Sequence, residues 1–326
     1  MNGRLRPLTE RILERLPGPR VVWLAAWAAV PWLNAGANLL LGHERSSAVW
    51  EQGRVLVILN YASLSLAMLI TLWGTGRIVR RLETLRAPTP EGRGGRSEEA
   101  FREVDSVRGP LLAAAATAVL FAVSALVRDG WASAFLRGTT WLVLGIALWT
   151  FLWVYASLQL GLGRLGREHL RLEALRADPG LGLRPLGAVA FTGLWMLMIW
   201  LVPVLLTGLP DLVGVVIGAL VLVIALGAFF GSLLGLHRQM IEVKATEIGL
   251  ARDLYTQAYE PVRAAPTLET LERQRSLLGA ADALEKRAHA IHDWPIDEGT
   301  FARVLTITTS VIAMIVARLI LEPLGL

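Results

Sequence analysis

LVGVVIGALVLVIALGAFFGSLLGL, residues 212–236, runs for 25 residues without Asp, Glu, Lys, Arg or His. A helix needs about 20 apolar residues to cross a bilayer and a barrel strand only about ten, so this run reads as a membrane helix. Four further charge-free runs flank it: 21–42 and 55–76 with 22 residues each, 138–163 and 185–210 with 26 each. Residues 110–127, PLLAAAATAVLFAVSALV, add an eighteen-residue candidate. The last candidate, 304–321, stays uncharged for fourteen residues before Arg318, whose stem can carry its charge to the interface. The expected fold class is all-α: a polytopic membrane bundle of about seven helices.

Composition agrees. Of 326 residues, 54% are hydrophobic and 18% charged, whereas soluble domains carry about 25% charged residues. No cysteine is present, which excludes disulfides and thiolate metal sites. A basic stretch precedes the first run as in a signal peptide, but its apolar length and the six spans that follow favour a retained helix.

Basic residues mark the cytoplasmic side of a membrane protein. The stretches 1–20, 77–109, 163–184 and 237–303 hold 27 of the 32 Lys and Arg residues. The expected topology is therefore N-inside and C-outside, in the cytoplasmic membrane of a prokaryotic cell. The segments read as an amphipathic cytoplasmic N-terminus (1–20), a membrane domain of three hairpins (21–236), a cytoplasmic helical hairpin with an elbow (237–300), and a last span (301–326). The high pI follows from orientation and anionic lipid contact, so the lipid bilayer is the expected partner and nucleic acid is not. The inward ends GTGRIVRRLETLRAP (74–88), GLGRLGREHLRLEALRADP (161–179) and GLHRQMIEVKATEIGLARD (235–253) look alike, a weak threefold repeat. They follow membrane helices and lack a third glycine, so they are not dinucleotide fingerprints.

In the third extension Ile241, Ala245, Ile248, Tyr255 and Tyr259 form one stripe, and Pro261 and Pro266 are expected to break the helix. Thr267 is placed to cap a second helix reaching about Ile291, with Leu268, Leu271, Leu278, Leu284, Ala288 and Ile291 near one face. HDWPIDEGTF (292–301) then separates this hairpin from the last span. Pro295 is expected to end the helix, Trp294 to sit at headgroup depth, and Asp297 to cap the last span. A metal site from His289, His292, Asp293 and Asp297 is the competing reading, but ligands on both sides of a proline lack a defined spacing.

Within the membrane the signals are weaker. Gly214, Gly218, Gly227, Gly231 and Gly235 fall in one span, in two groups about half a turn apart at ~100° per residue. Four-residue glycine spacing admits close helix approach, so this span is expected to be gripped on two sides. Asn34 and Asn38 share a depth with Asn60 and Tyr61, as interhelical glue or a pocket. Trp149, Trp153, Trp195 and Trp200 lie deep, as core packing or an aromatic ligand pocket. The last span carries Thr306, Thr308, Thr309 and Ser310, which either bond their own helix or line a hydrated path.

No charge occupies the middle of any span, which argues against ion-coupled transport. No acid pair, Ser/His/Asp set or HExxH motif is present, so neither an enzyme nor a cofactor is expected. The Trp-Pro-Ile-Asp elbow before a closing hydrophobic helix resembles prokaryotic multipass membrane proteins that carry no assigned activity. The architecture alone is similar to insect odorant and gustatory receptor channels. That similarity implies seven helices, an inside N-terminus and a pore lined by the last helix. The closing motif of that family, a Thr-Tyr pair and a later Gln-Phe, is absent here. Three functions follow as expectations. The first is a homo-oligomeric channel or ligand-responsive receptor; the others are a scaffold or sensor binding a cytoplasmic protein through 237–292, and a transporter of a neutral or lipid-like substrate.

Overall fold

The computed structural model describes residues 5–40, 54–86, 101–168, 179–207 and 212–321. Among them, every regular element is helical. α1 spans Leu8–Arg15, α2 Arg20–Leu40, α3 Arg54–Arg86, α4 Arg108–Asp129 and α5 Trp131–Leu165. α6 spans Arg184–Thr207, α7 Leu212–Ala264, α8 Leu268–Ala290 and α9 Glu298–Leu321, and a 3-10 turn covers Arg102–Asp105. Six of these, α3 to α7 and α9, are long and apolar enough to cross a membrane. The chain is a multipass integral membrane protein. α2, the expected first span, forms a helix of 21 residues but is not one of the six; Pro31, three tryptophans and two asparagines dilute its apolarity.

The chain divides into two compact units: Met1–Gly161, Val189–Phe229 and Arg303–Leu326 in one, Leu162–Ala188 and Phe230–Ala302 in the other. In the first unit α5 presents a buried stripe of Leu144, Ala147, Phe151, Val154 and Leu158, with the three-and-four spacing of a packed helix. Met68 and Leu72 of α3 join Trp27, Leu13, Leu144 and Ala147 in one cluster. Leu13 belongs to α1, where Leu8 and Leu13 are buried as is Leu5 just before it, so the amphipathic N-terminus packs on its own unit. Polar ties fix it there: the Leu5 amide donates to Glu83 Oε1 at 2.9 Å, Arg11 Nη2 donates to Asp105 O at 3.1 Å, and Arg20 pairs with Glu10.

α4 and α5 form a hairpin about Gly130, whose φ of +85° favours glycine. Small residues bring the two helices together. A Cβ on Gly145 would meet Ala114 Cα at 3.3 Å, and one on Gly138 would meet the Ala122 Cβ at 3.0 Å. Phe121 and Trp141 stack at 4.0 Å. Three indoles then fasten helix pairs: Trp27 Nε1 donates to Val143 O (2.8 Å), Trp149 Nε1 to Thr117 Oγ1 (2.9 Å) and Trp200 Nε1 to Thr71 Oγ1 (2.5 Å). Each places a polar group where apolar surroundings would otherwise leave it unsatisfied.

In the second unit the C-terminal part of α7 and α8 form the long hairpin. Its seam is alanine: Ala251 and Ala258 on one helix, Ala281 and Ala288 on the other, all buried at seven-residue spacing. The expected stripes are therefore partly displaced. Ile241, Tyr259, Leu268 and Leu271 are exposed, because the alanine faces admit a closer approach than the larger residues would. Pro261 does not break α7, which continues to Ala264. The turn comes at Ala265, the residue that Pro266 keeps out of α geometry. Thr267 caps α8, its Oγ1 accepting from the Thr270 amide at 3.3 Å.

Candidate functional sites: the elbow and the last helix

α8 ends at Ala290, five residues before Pro295, so proline is not what stops it. The following backbone is committed elsewhere. The His292 amide donates to Pro179 O at 3.0 Å, and the Asp293 carbonyl accepts from His237 Nδ1 at 2.6 Å. Trp294 stacks on the His237 ring at 4.1 Å and 16°, and meets Phe230 edge-on at 5.8 Å. Trp294 is thereby held against α7, its indole face on the imidazole. Lys244 Nζ pairs with Asp293 Oδ1 at 2.7 Å, about two helical turns beyond His237 along α7.

On the other side the elbow meets the turn that begins α6. Arg184 Nη2 donates to His292 Nε2 at 3.2 Å. Pro295 and Ile296 are buried, and a Cβ on Gly187 would collide with the Pro295 carbonyl oxygen. In that turn Leu181 is buried with a φ of +51°, a conformation that side chains seldom adopt. Asp297 Oδ1 accepts from the Thr300 amide at 2.7 Å, the geometry of a cap on α9. His289, His292, Asp293 and Asp297 each turn to a different partner; His289 faces Glu285 at 3.9 Å. Among the described residues no group of three or more such side chains could hold a metal ion.

The glycine series divides. Gly235 takes the close contact: a Cβ there would lie 2.5 Å from Gly166 O. Gln239 Nε2, a turn later, donates to Gly166 O at 2.8 Å and to Glu168 O at 2.6 Å. Gly218 is buried, whereas Gly227 and Gly231 have nothing within 4 Å. The expectation that this helix is gripped on two sides is corrected at those two positions. The buried residues Leu222, Ala225, Phe229, Leu233 and Leu236 follow one face, while Val216, Leu220, Val223 and Ile224 are exposed. Gly214 lies outside the described side chains.

α2 packs on α3 with Trp32 and Tyr61 rings 5.7 Å apart. Asn34 and Tyr61 are half-buried beside this contact; the Asn38 and Asn60 side chains lie outside the described residues. Trp153 is not core: its Nε1 donates to Glu103 O at 2.9 Å, at the 3-10 turn.

α9 is the least enclosed of the six spans, with 17% of its apolar window buried. Val304, Val311 and Ile315 form its buried stripe. At ~100° per residue the diametrically opposite face carries Ala302, Thr306, Thr309, Ala313 and Ala317. All five are exposed, and none is larger than threonine. Ser310 Oγ donates back to Thr306 O at 2.9 Å, and Thr308 is half-buried on the flank. The hydroxyls had drawn attention in the sequence, but the small-residue seam that includes them had not. Its signal was the spacing of 302, 306, 309, 313 and 317. The chain matches no family model, no curated protein and no solved structure, so these two sites rest on their own residues.

Proposed function

We propose that the protein is a homo-oligomeric channel or ligand-responsive receptor of the cell membrane, with α9 near the axis. One observation carries the reading: the face of α9 opposite its buried stripe is small and hydroxyl-bearing from Ala302 to Ala317, and it is exposed in a single chain. Lipid alone favours large apolar side chains, whereas Gly, Ala, Ser and Thr let membrane helices approach and share hydrogen bonds. α2 would complete seven spans, since 21 residues at ~1.5 Å each match the ~30 Å apolar core. With 27 of 32 basic residues on the inner segments, the N-terminus lies inside and the C-terminus outside. The elbow joins the hairpin to α9 through residues 292–297, so movement of the hairpin would reach the pore helix.

The test uses the cysteine-free chain. Cysteines at Thr306, Thr309 and Ser310 should react with a small membrane-impermeant thiol reagent at two positions or more, and liposomes holding the protein should pass current. No labelling from either side together with electrically silent liposomes would remove the reading.

A second reading has its own observation. Tyr259, Leu268 and Leu271 stand exposed by 63%, 76% and 45% around the tip of the hairpin, outside the apolar spans. That surface suits a scaffold that recruits a cytoplasmic protein through 237–292.

A further inference from the structure

We infer that the elbow is a proton-responsive joint, in which His292 holds the α6 turn only while neutral and His237 holds Trp294 in either protonation state. The inference begins with which atoms can donate. A guanidinium only donates hydrogen bonds, so Arg184 Nη2 at 3.2 Å makes His292 Nε2 an acceptor and fixes the imidazole as neutral. A carbonyl only accepts, so His237 Nδ1 at 2.6 Å from Asp293 O carries a hydrogen. That second contact survives protonation. Its ring also stacks on Trp294 at 4.1 Å, where a cationic imidazolium is better held by the indole face than a neutral one.

Protonation therefore acts on the two sides of the elbow in opposite senses. At His292 it replaces the acceptor lone pair with an N–H directed at a guanidinium, and a hydrogen bond becomes like-charge repulsion. At His237 it leaves the donor in place and strengthens the stack. Arg184 of the α6 turn contacts His292, Lys244 of α7 pairs with Asp293 of the elbow, and His289 of α8 is turned to Glu285. Histidine is the side-chain type that gains a charge on mild acidification.

The α6 turn is suited to a release. Leu181 holds a left-handed φ of +51° while the turn is tied to the elbow by His292 N to Pro179 O and by His292 Nε2 to Arg184. Backbone strain at such a position persists only while the surrounding contacts enforce it. Loss of the Arg184 contact removes a polar tie between the turn and the elbow. The joint does not depend on α9 lining a pore, and the two ideas fail separately.

The experiment is a distance measurement on the full-length protein in nanodiscs. Spin labels go on cysteines at Pro185, in the first turn of α6, and Ala290, at the end of α8, both exposed and one on each side of the His292–Arg184 contact. Between pH 8 and pH 5.5 the distance distribution should lengthen or broaden reversibly. His292→Gln, which cannot gain a charge, should abolish the change, and His237→Gln should keep it. An unchanged distribution in the parent protein, or a full transition in His292→Gln, would overturn the inference. Size-exclusion profiles at both pH values show whether each variant remains folded.

Discussion

Replacing Gly235 by alanine adds one methyl group, and the structure says where it goes. The new Cβ would lie 2.5 Å from Gly166 O, 2.6 Å from its carbonyl carbon and 2.7 Å from its Cα. Ordinary contact begins near 3.4 Å, so α7 and the turn after α5 must separate by about 0.9 Å. No flexible side chain can move aside, because the obstacle is backbone. Overpacking of this kind costs about 1–3 kcal/mol. The separation also stretches the two Gln239 bonds to Gly166 O and Glu168 O, at about 1 kcal/mol each. A total on the order of 3–5 kcal/mol should lower the thermal midpoint in detergent by several degrees. Gly231→Ala is the internal control. Nothing lies within 4 Å of its Cβ, so the change should be within about 0.5 kcal/mol of zero, or slightly stabilising through helix propensity. Equal midpoints for Gly235→Ala and the parent protein, or an equal fall in Gly231→Ala, would refute the assignment of the close contact.

Three further outcomes follow from the same geometry. Asp297→Ala removes the acceptor for the Thr300 amide and should cost about 1 kcal/mol, read as faster amide exchange in the first turn of α9. Trp200→Phe leaves Thr71 without its indole donor and should lower the midpoint by an amount on the order of 1 kcal/mol, with no change in oligomeric state. Partial burial and then the Glu285 carboxylate raise the Tyr255 pKa; a hydrogen bond to Asp282 raises that of Lys286. For both groups the folded value exceeds the unfolded one, near ~10. Their stabilisation is thus complete below that pH and lost as pH rises through the folded value. Helix content of the hairpin should accordingly be flat from pH 7 to 9 and fall only in stronger alkali.

The long charge-free runs made the membrane class legible, because lipid leaves the backbone few alternatives to a helix. Helix ends were legible where a capping chemistry exists, as at Thr267 and Asp297. Proline was a poorer guide. Pro261 lies within α7, and Pro295 stands beyond a helix that His292 and Asp293 had already ended by bonding to other segments. Those partners, Pro179 and His237, are distant in sequence and carry no local signal. Glycine spacing misled for a related reason. A four-residue repeat shows that a face is small but not whether a neighbour occupies it, which separates Gly235 from Gly227 and Gly231. The close contact at Gly138 and Gly145 was overlooked because its partners are the alanines of α4, in a run that reads as generic apolar helix. The ring partner of Trp294, His237, lies 57 positions earlier and carries no local signal either.

The central claim is that the small face of α9 meets the same face of another copy, and disulfide cross-linking in native membranes tests it most directly. The chain has no cysteine of its own, so a single introduced cysteine can form a disulfide only with another copy or another protein. Cysteines at Thr306, Thr309 and Ala313 should each give a band of twice the chain mass under mild oxidation. Cysteine at Val311, on the buried stripe, should give none. Cross-linking at Val311 but not at Thr309, or none at any exposed position of α9 in protein that remains folded, would contradict the account.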